Sequence, residues 1–362
     1  MKFQTRREEL FNNLQITQNI VTPRTALPIL SNILLEAREG KLKLITTNLD
    51  IGISCEYPVE TVEEGAITVP GKKFTEIIHE LPSGQIVITA MKNNTVIIQS
   101  ENCEFKIMGL PKSEFPKLPE FKNKDAIRIG QAVLKEMLNK TGFAISRDEA
   151  RHVLNGILFK IEQDKITLVA TDGRRLALIE KNMGIKTNKP VGIIIPSKTV
   201  DELNRNLKEE GEVLLILGEN QALFDLGQVH IISRLIEGEF PDYHQVIPLE
   251  QKDKIKLNRE RFLLAIKRAA ILSTADYQAA KLEVFKNKLV ISKSTPDLGE
   301  SREELESDYS GKELAVGFNP AYLIDVLKAL PDEAINFELT DSEKPGVIRT
   351  NGYLYIVLPM KI

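Results

Sequence analysis

The chain repeats itself three times. KFQTRREELFNNL from Lys2, AIRIGQAVLKEML from Ala126 and KIKLNRERFLLAI from Lys254 lie over one another at offsets of 124 and 128 residues. Phe3, Ile127 and Ile255 coincide, as do Leu10, Leu134 and Phe262, then Leu14, Leu138 and Ile266. Each segment reads as a short strand followed by a helix with apolar residues four apart. The first offset persists: ILSNILLEAREGKLKLITTN from Ile29 lies over VLNGILFKIEQDKITLVATD from Val153 without a gap. Both read as two strands joined by a polar turn, and KLEVFKNKLVISKS from Lys281 is the shorter third version.

A second helix follows in each copy. Phe74, Ile77, Ile78 and Leu81 stand at helical spacing, Leu323, Val326, Leu327 and Leu330 repeat it, and Val200, Leu203 and Leu207 give the middle version. A proline precedes each helix (Pro70, Pro196 and Pro320), where a missing N–H is tolerated. Pairs of strand-like segments come next: QIVITA with TVIIQS, EVLLILG with ALFDLG, and AINFEL with GVIRTN. The first two copies end in similar proline-bearing stretches, SEFPKLP from Ser113 and GEFPDYHQVIP from Gly238. The expected domains are therefore 1–122, 123–250 and 251–362. Each should hold two helices and about eight strands; tight turns between successive strands predict an α+β fold with antiparallel sheets.

Composition narrows the function classes. At 362 residues the chain is too long for one simple core. The longest apolar runs, such as Val213–Leu217, are strand-sized and far short of the roughly 18 residues that span a bilayer. The charged start, MKFQTRREEL, has no signal-peptide core. Cys55 and Cys103 do not make a disulfide framework, which suits a reducing cytoplasm. A net charge of −3 argues against a protein that is basic all over, but not against a local basic face.

Catalytic motifs are missing. His79, His152, His230 and His244 do not stand at metal-ligand spacing, and no nucleophile elbow or phosphate-cradling glycine loop is present. No catalytic residue, metal or cofactor is expected. Thr171-Asp172-Gly173 reads either as a carboxylate site or as a strand-end turn; its repeat partner Thr47-Asn48-Leu49 favours the turn. The acidic run Glu300–Asp308 reads as a solvated loop or an interface charge patch. Across residues 5–17, 131–143 and 259–271, the first helices carry eight Lys/Arg against four Asp/Glu. The basic residues are Arg6, Arg7, Lys135, Lys140, Arg259, Arg261, Lys267 and Arg268. Such a bias is either a solvated helix face or part of a surface that holds phosphates without reading sequence.

Several strings, in their order and spacing, carry a family resemblance: Arg24–Leu30 (RTALPIL), Leu154-Asn155-Gly156, Thr171–Ala177 (TDGRRLA), Phe240–Tyr243 (FPDY) and Leu358–Ile362 (LPMKI). With the repeat and the length, they resemble the beta subunits of bacterial DNA polymerase III, the sliding clamps, over the whole chain. The resemblance implies a head-to-tail homodimer whose six domains close a ring around double-stranded DNA, with helices inside and sheets outside. It implies a non-catalytic processivity factor. Its partners would be the polymerase III alpha subunit, the clamp loader, and other polymerases and repair proteins. Each would insert a short peptide with a hydrophobic end and a glutamine.

The positions that match the family's peptide groove are Leu154, Thr171, Gly173, Arg174, Arg175, Leu176, Pro241, Val246, Val357, Leu358, Pro359 and Met360. Those that match its subunit interface are Phe105, Ile107, Ile271 and Leu272. Candidate DNA contacts are Arg24, Lys72, Lys73, Arg147, His152 and Lys198. Arg174, Gln245 and Leu358 stand where relatives often carry histidine, arginine and methionine, and Asp148 replaces a polar neutral residue in the Arg147–His152 loop. Two other readings stay open: a triplicated scaffold that binds peptides but not DNA, and a hydrolase centred on Asp172.

Overall fold

The computed structural model describes residues 1–21, 27–121, 126–184, 190–250 and 254–362. Arg24 lies outside the described residues. The described residues form six α-helices: α1 Arg7–Thr17, α2 Gly71–Glu80, α3 Gln131–Thr141, α4 Ser197–Asn206, α5 Arg259–Ala270 and α6 Pro320–Ala329. They also form 25 strands, and every named pairing is antiparallel. The expected α+β class and two helices per copy are therefore present. The strand content of the copies is close to expectation, with one extra short strand, Glu60–Glu63, in the first. Pro320 is the first residue of α6 rather than the residue before it.

Backbone contacts divide the chain into two units, one of residues 1–134 and 201–235, the other of 135–200 and 236–362. The division runs through α3 and α4.

In the first unit an eight-stranded sheet runs Ala126–Gly130, Glu212–Leu217, Gln221–Asp225, Val229–Arg234, Ile51–Pro58, Lys41–Thr47, Asn32–Arg38, Gly65–Pro70. Val229–Arg234, the last strand of the second copy, thus pairs with Ile51–Pro58 of the first. A five-stranded sheet ends at the edge strand Cys103–Met108. The inward faces of the first copy's strands and of α1 and α2 form one core, with Phe3, Leu10, Leu14, Phe74 and Ile78 fully buried.

The second unit repeats the design. Its eight-stranded sheet runs Val191–Pro196, Gly156–Glu162, Lys165–Thr171, Arg175–Asn182, Tyr353–Val357, Gly346–Thr350, Ala334–Glu338, Lys254–Asn258. Here Tyr353–Val357, the last strand of the third copy, pairs with Arg175–Asn182 of the second. A four-stranded sheet ends at the edge strand Gly299–Glu306. Most of the acidic run is therefore a strand with alternating exposure, not a loop. Alternation of charged and half-buried positions is what an edge strand with one covered face requires. α5 packs on α6, burying Phe262, Ile266, Leu323 and Leu327.

The register-equivalent residue at the start of each first helix has a common job. Arg7 Nε donates to the Ile78 carbonyl at 3.0 Å, and Arg259 donates to the carbonyls of Leu327 at 3.0 Å and Asp332 at 2.8 Å. Gln131, at the same repeat position, accepts from the Lys208 N–H at 2.9 Å and donates to the Glu212 carbonyl at 3.2 Å. Each ties the start of one helix to carbonyls or N–H groups at or beyond the end of the other, groups that a helix cannot satisfy internally. This use changes the charge argument. Arg7 and Arg259 are structural, while Lys140 pairs with Glu136 at 2.7 Å and Arg268 with Glu303. With Arg6 lying 3.9 Å from Glu8, at least five of the eight helix-borne cations in the sequence are thus paired within the fold.

Arg259→Ala should leave two carbonyls short of a donor and cost about 1–3 kcal/mol. Urea denaturation measures this. Arg259→Lys should recover only part, because an ammonium lacks the guanidinium fork. An unchanged midpoint for the alanine variant would remove the proposed role.

Candidate functional site

Of the two seams at which the last strand of one copy joins the sheet of the preceding copy, the second carries a groove. Its floor is Leu154, Leu176, Tyr243 and Ile356, all buried; Val246 and Leu358 are exposed apolar walls, and Pro241 and Pro345 also line it. The cavity is about 400 Å³, within the size range of ligand pockets. Nine of the twelve groove residues expected from the sequence line it: Leu154, Thr171, Gly173, Arg174, Arg175, Leu176, Pro241, Val246 and Leu358. Tyr243, Asp242, Pro345 and Ile356 line it too and were not expected. Val357 does not line it. It is fully buried between Ile356 and Leu358, and strand alternation turns it to the opposite face of the sheet. Pro359 and Met360 also fall outside the lining; the Met360 N–H donates to the Gly317 carbonyl at 2.8 Å and ties down the tail just past the wall.

One rim of the groove is the hairpin from Thr171 to Arg175. Thr171 Oγ1 donates to the Arg175 carbonyl at 2.6 Å and accepts from the Gly173 N–H at 3.0 Å. Asp172 Oδ1 accepts from the N–H groups of Arg174 and Arg175 at 2.9 and 3.0 Å. In the first copy Asn48 Oδ1 accepts from Asp50 and Ile51 at 3.1 and 2.9 Å in the same way. Asp172 is therefore a turn residue. Gly173 has φ +83° and sits against the Arg151 guanidinium, so a side chain would be strained and crowded there. Arg151 Nη1 donates to the Asp172 carbonyl at 2.9 Å, propping the hairpin from behind. Nothing in its sequence context distinguishes Arg151 from a solvated arginine.

Arg175 locks the hairpin to the body of the unit. Its side chain is 9% exposed. Nε donates to Asp172 Oδ2 at 3.1 Å, Nη1 to Asp325 Oδ2 at 2.7 Å and Nη2 to the Phe143 carbonyl at 2.6 Å. The guanidinium also lies 4.4 Å from the Tyr322 ring centre. Burial works against its charge, but Tyr355, Asp325 and Asp172 outweigh that and hold its pKa above the ordinary arginine value. Both Asp172 oxygens are thus occupied. The other wall is set by Asp242, which caps the helical turn Tyr243–Val246 through the His244 N–H at 3.1 Å and accepts from Gln245 Nε2 at 3.0 Å. These two bonds hold the Asp242 carboxyl below the usual carboxylate range. The Leu358 N–H donates to the Arg174 carbonyl at 2.9 Å, which stations the exposed leucine opposite. The result is an apolar trough between rigid rims, suited to an extended peptide with an apolar end and without a nucleophile or free acid.

The other expected residues are spread over the surface. Lys72 and Lys73 open α2 and are exposed, and Lys73 pairs with Glu76 at 2.8 Å. Arg147, His152 and Lys198 are exposed in the second unit. Phe105 is exposed and Ile107 half-buried on the first unit's edge strand. Ile271 is 76% exposed just after α5, and Leu272 is half-buried. Cys55 and Cys103 are free thiols; burial pushes that of Cys55 up to about 11, so it is unreactive. Among the described residues, no three His, Cys, Asp or Glu side chains are grouped to hold a metal, and no helix is long and apolar enough to cross a membrane.

Arg175→Ala should cost about 3 kcal/mol or more, because it strands the largely buried Asp172 and also takes a partner from the more exposed Asp325. Asp172→Asn, which copies Asn48, should keep the turn and lose only the Arg175 bond, about 1.5–3 kcal/mol. Urea unfolding of the two variants should rank them in that order; the reverse order would mean that the aspartate, not the arginine, anchors the hairpin.

Comparison with known proteins gives the context. Models of the DNA polymerase III beta subunit match the chain in three parts: the N-terminal domain over residues 1–119, the central domain over 128–242 and the C-terminal domain over 244–361. The beta sliding clamp of Escherichia coli K12 is 33% identical over 367 residues, covering all of both chains. The sliding clamp of Pseudomonas aeruginosa, solved bound to griselimycin, superposes with a TM-score of 0.95 at 32% identity, again covering all of both chains. The Bacillus subtilis sliding clamp gives 0.95 at 31% identity, covering all of this chain and 99% of that one. The chain is built of three tandem clamp domains and belongs to the DNA polymerase III beta subunit family, the non-catalytic processivity subunits known as beta sliding clamps.

Proposed function

We propose that two copies of this chain close head to tail around double-stranded DNA and tether the replicative polymerase to it. Domains 1–122, 123–250 and 251–362 of each copy supply the ring. The carrying observation is the pattern of strand pairing. The last strand of the second copy completes the sheet of the first, and the last strand of the third completes the sheet of the second. By the same rule Cys103–Met108, the last strand of the first copy, and Gly299–Glu306, the third copy's counterpart of Ile51–Pro58, are left as edges. Neither edge has a further strand partner among the described residues, and head-to-tail pairing between two copies that closes removes both.

The proposed interface side chains suit this. Phe105 and Ile107 lie on one edge strand, and Ile271 and Leu272 stand beside the other sheet. Thr295 Oγ1 donates to the Leu272 carbonyl at 2.6 Å, and Lys293 Nζ donates to the carbonyls of Tyr277 and Ala279 at 2.7 and 2.8 Å, so the loop bearing the exposed Ile271 and half-buried Leu272 is tied to the sheet. DNA would be held through phosphates by Lys72, Lys73, Arg147, His152 and Lys198, and by Arg24. The groove would take the peptide tails of the polymerase alpha subunit, the clamp loader and repair proteins. The free thiols accord with work in the cytoplasm.

Three outcomes are expected. Ile271→Ala with Leu272→Ala should give monomers by light scattering; a stable dimer would refute the interface. Deleting Leu358–Ile362 should weaken binding of a polymerase tail peptide at least tenfold, since burial of one leucine or phenylalanine contributes about 1.5–3 kcal/mol. Unchanged affinity by calorimetry would refute the groove. Loaded protein should stay on circular DNA, run off when it is linearised, and lose affinity with added salt if the ring is open. A peptide-binding scaffold would show neither retention nor release.

A further inference from the structure

The first unit holds a second site built like the groove. Its hairpin is Thr47–Ile51, the repeat of Thr171–Arg175, with the same side-chain hydrogen bonds. The Arg234 N–H donates to the Asp50 carbonyl at 2.8 Å, as the Leu358 N–H donates to that of Arg174 at 2.9 Å. The pairings Gly52 with Ile232 and Leu176 with Ile356 are equivalent. Phe115-Pro116-Lys117-Leu118 lies over Phe240-Pro241-Asp242-Tyr243. Around these parts is a cavity of about 250 Å³.

The chemistry differs where it matters. Leu176 of the groove floor becomes Gly52, and the wall leucine Leu358 becomes Arg234. Pro345 becomes Gln221. The hole at Gly52 is filled: a Cβ placed there would lie 2.6 Å from Cδ2 of Leu118. Leu118 belongs to the stretch that links the first copy to the second, and it packs on the cluster of Leu34, Ile45 and Phe115. Gly52 needs no glycine-only backbone, since it sits inside a strand with Ile232 opposite. The space it frees is what the linker leucine uses.

We infer that the first seam is a repeat copy of the peptide groove in which the chain's own linker supplies the apolar side chain that the strand lacks, Leu118 in the space left at Gly52, and that this leucine and the charged rim at Arg234 keep it shut to partner peptides. The chain then presents one peptide socket instead of two. This rests on the proposal that the groove at Leu154, Leu176 and Leu358 takes peptides.

Two measurements test it. Gly52→Leu should collide with Leu118 and lower the thermal midpoint by several degrees. Adding Leu118→Ala should restore much of the loss, since apolar volume moves from linker to strand, as Leu176 has it. If the second change deepens the loss, Leu118 does not fill the Gly52 hole and the inference fails. The second measurement is calorimetric titration of the full chain with a synthetic peptide carrying a glutamine and a Leu-Phe end. The unaltered chain should bind one peptide. Gly52→Leu, Leu118→Ala and Arg234→Leu together should raise that to two, and deleting Leu358–Ile362 from the triple variant should return it to one. A triple variant that saturates at one overturns the claim that the linker and rim keep the site shut. If the unaltered chain binds none, the groove proposal falls instead, and the thermal rescue decides whether Leu118 occupies the copy.

Discussion

Pairing of a strand that ends one repeat with a strand inside the preceding repeat is the interaction from which the other features follow. Val229–Arg234 against Ile51–Pro58 and Tyr353–Val357 against Arg175–Asn182 turn four short sheets into two of eight strands. Each junction satisfies a row of backbone groups that would otherwise face solvent as an edge. It also brings a hairpin, a proline-bearing stretch and the end of a strand from the next repeat into one place, and that is where the groove lies.

The groove depends on stiff rims more than on its apolar floor. Arg175 spends its three donor nitrogens on Asp172, Asp325 and the Phe143 carbonyl, while Asp242 caps the turn on the other side. A trough held open in this way loses little conformational freedom on binding, which is how a short peptide attains useful affinity. The first seam shows the same framework put to another use. Without a leucine at position 52 and with an arginine at 234, the framework binds its own linker.

Charge was the least legible feature. The basic bias on three equivalent helices read either as a solvated helix face or as part of a phosphate-holding surface. In the fold, Arg7 and Arg259 tie helix to helix, Lys140 pairs with Glu136 and Arg268 with Glu303. A sequence count cannot separate a solvated cation from one that closes a helix terminus, because its partners are carbonyls some seventy residues away. The position of Val357 was misread for a different reason. YLYIV is apolar at every position, so alternation leaves no mark of which side chains face the groove.

What the sequence determined by itself was the triplication, the order of strands and helices in each copy, and the core positions such as Leu10, Leu134 and Phe262. These rest on local periodicity and on similarity between segments, both of which are written along the chain. Tertiary structure alone decided which repeat completes which sheet, that Arg175 and Arg151 brace the hairpin, and that Leu118 fills the space left at Gly52. Each joins residues far apart in the chain, and the energy that selects it comes from packing and hydrogen bonds that exist only once the sheets have formed.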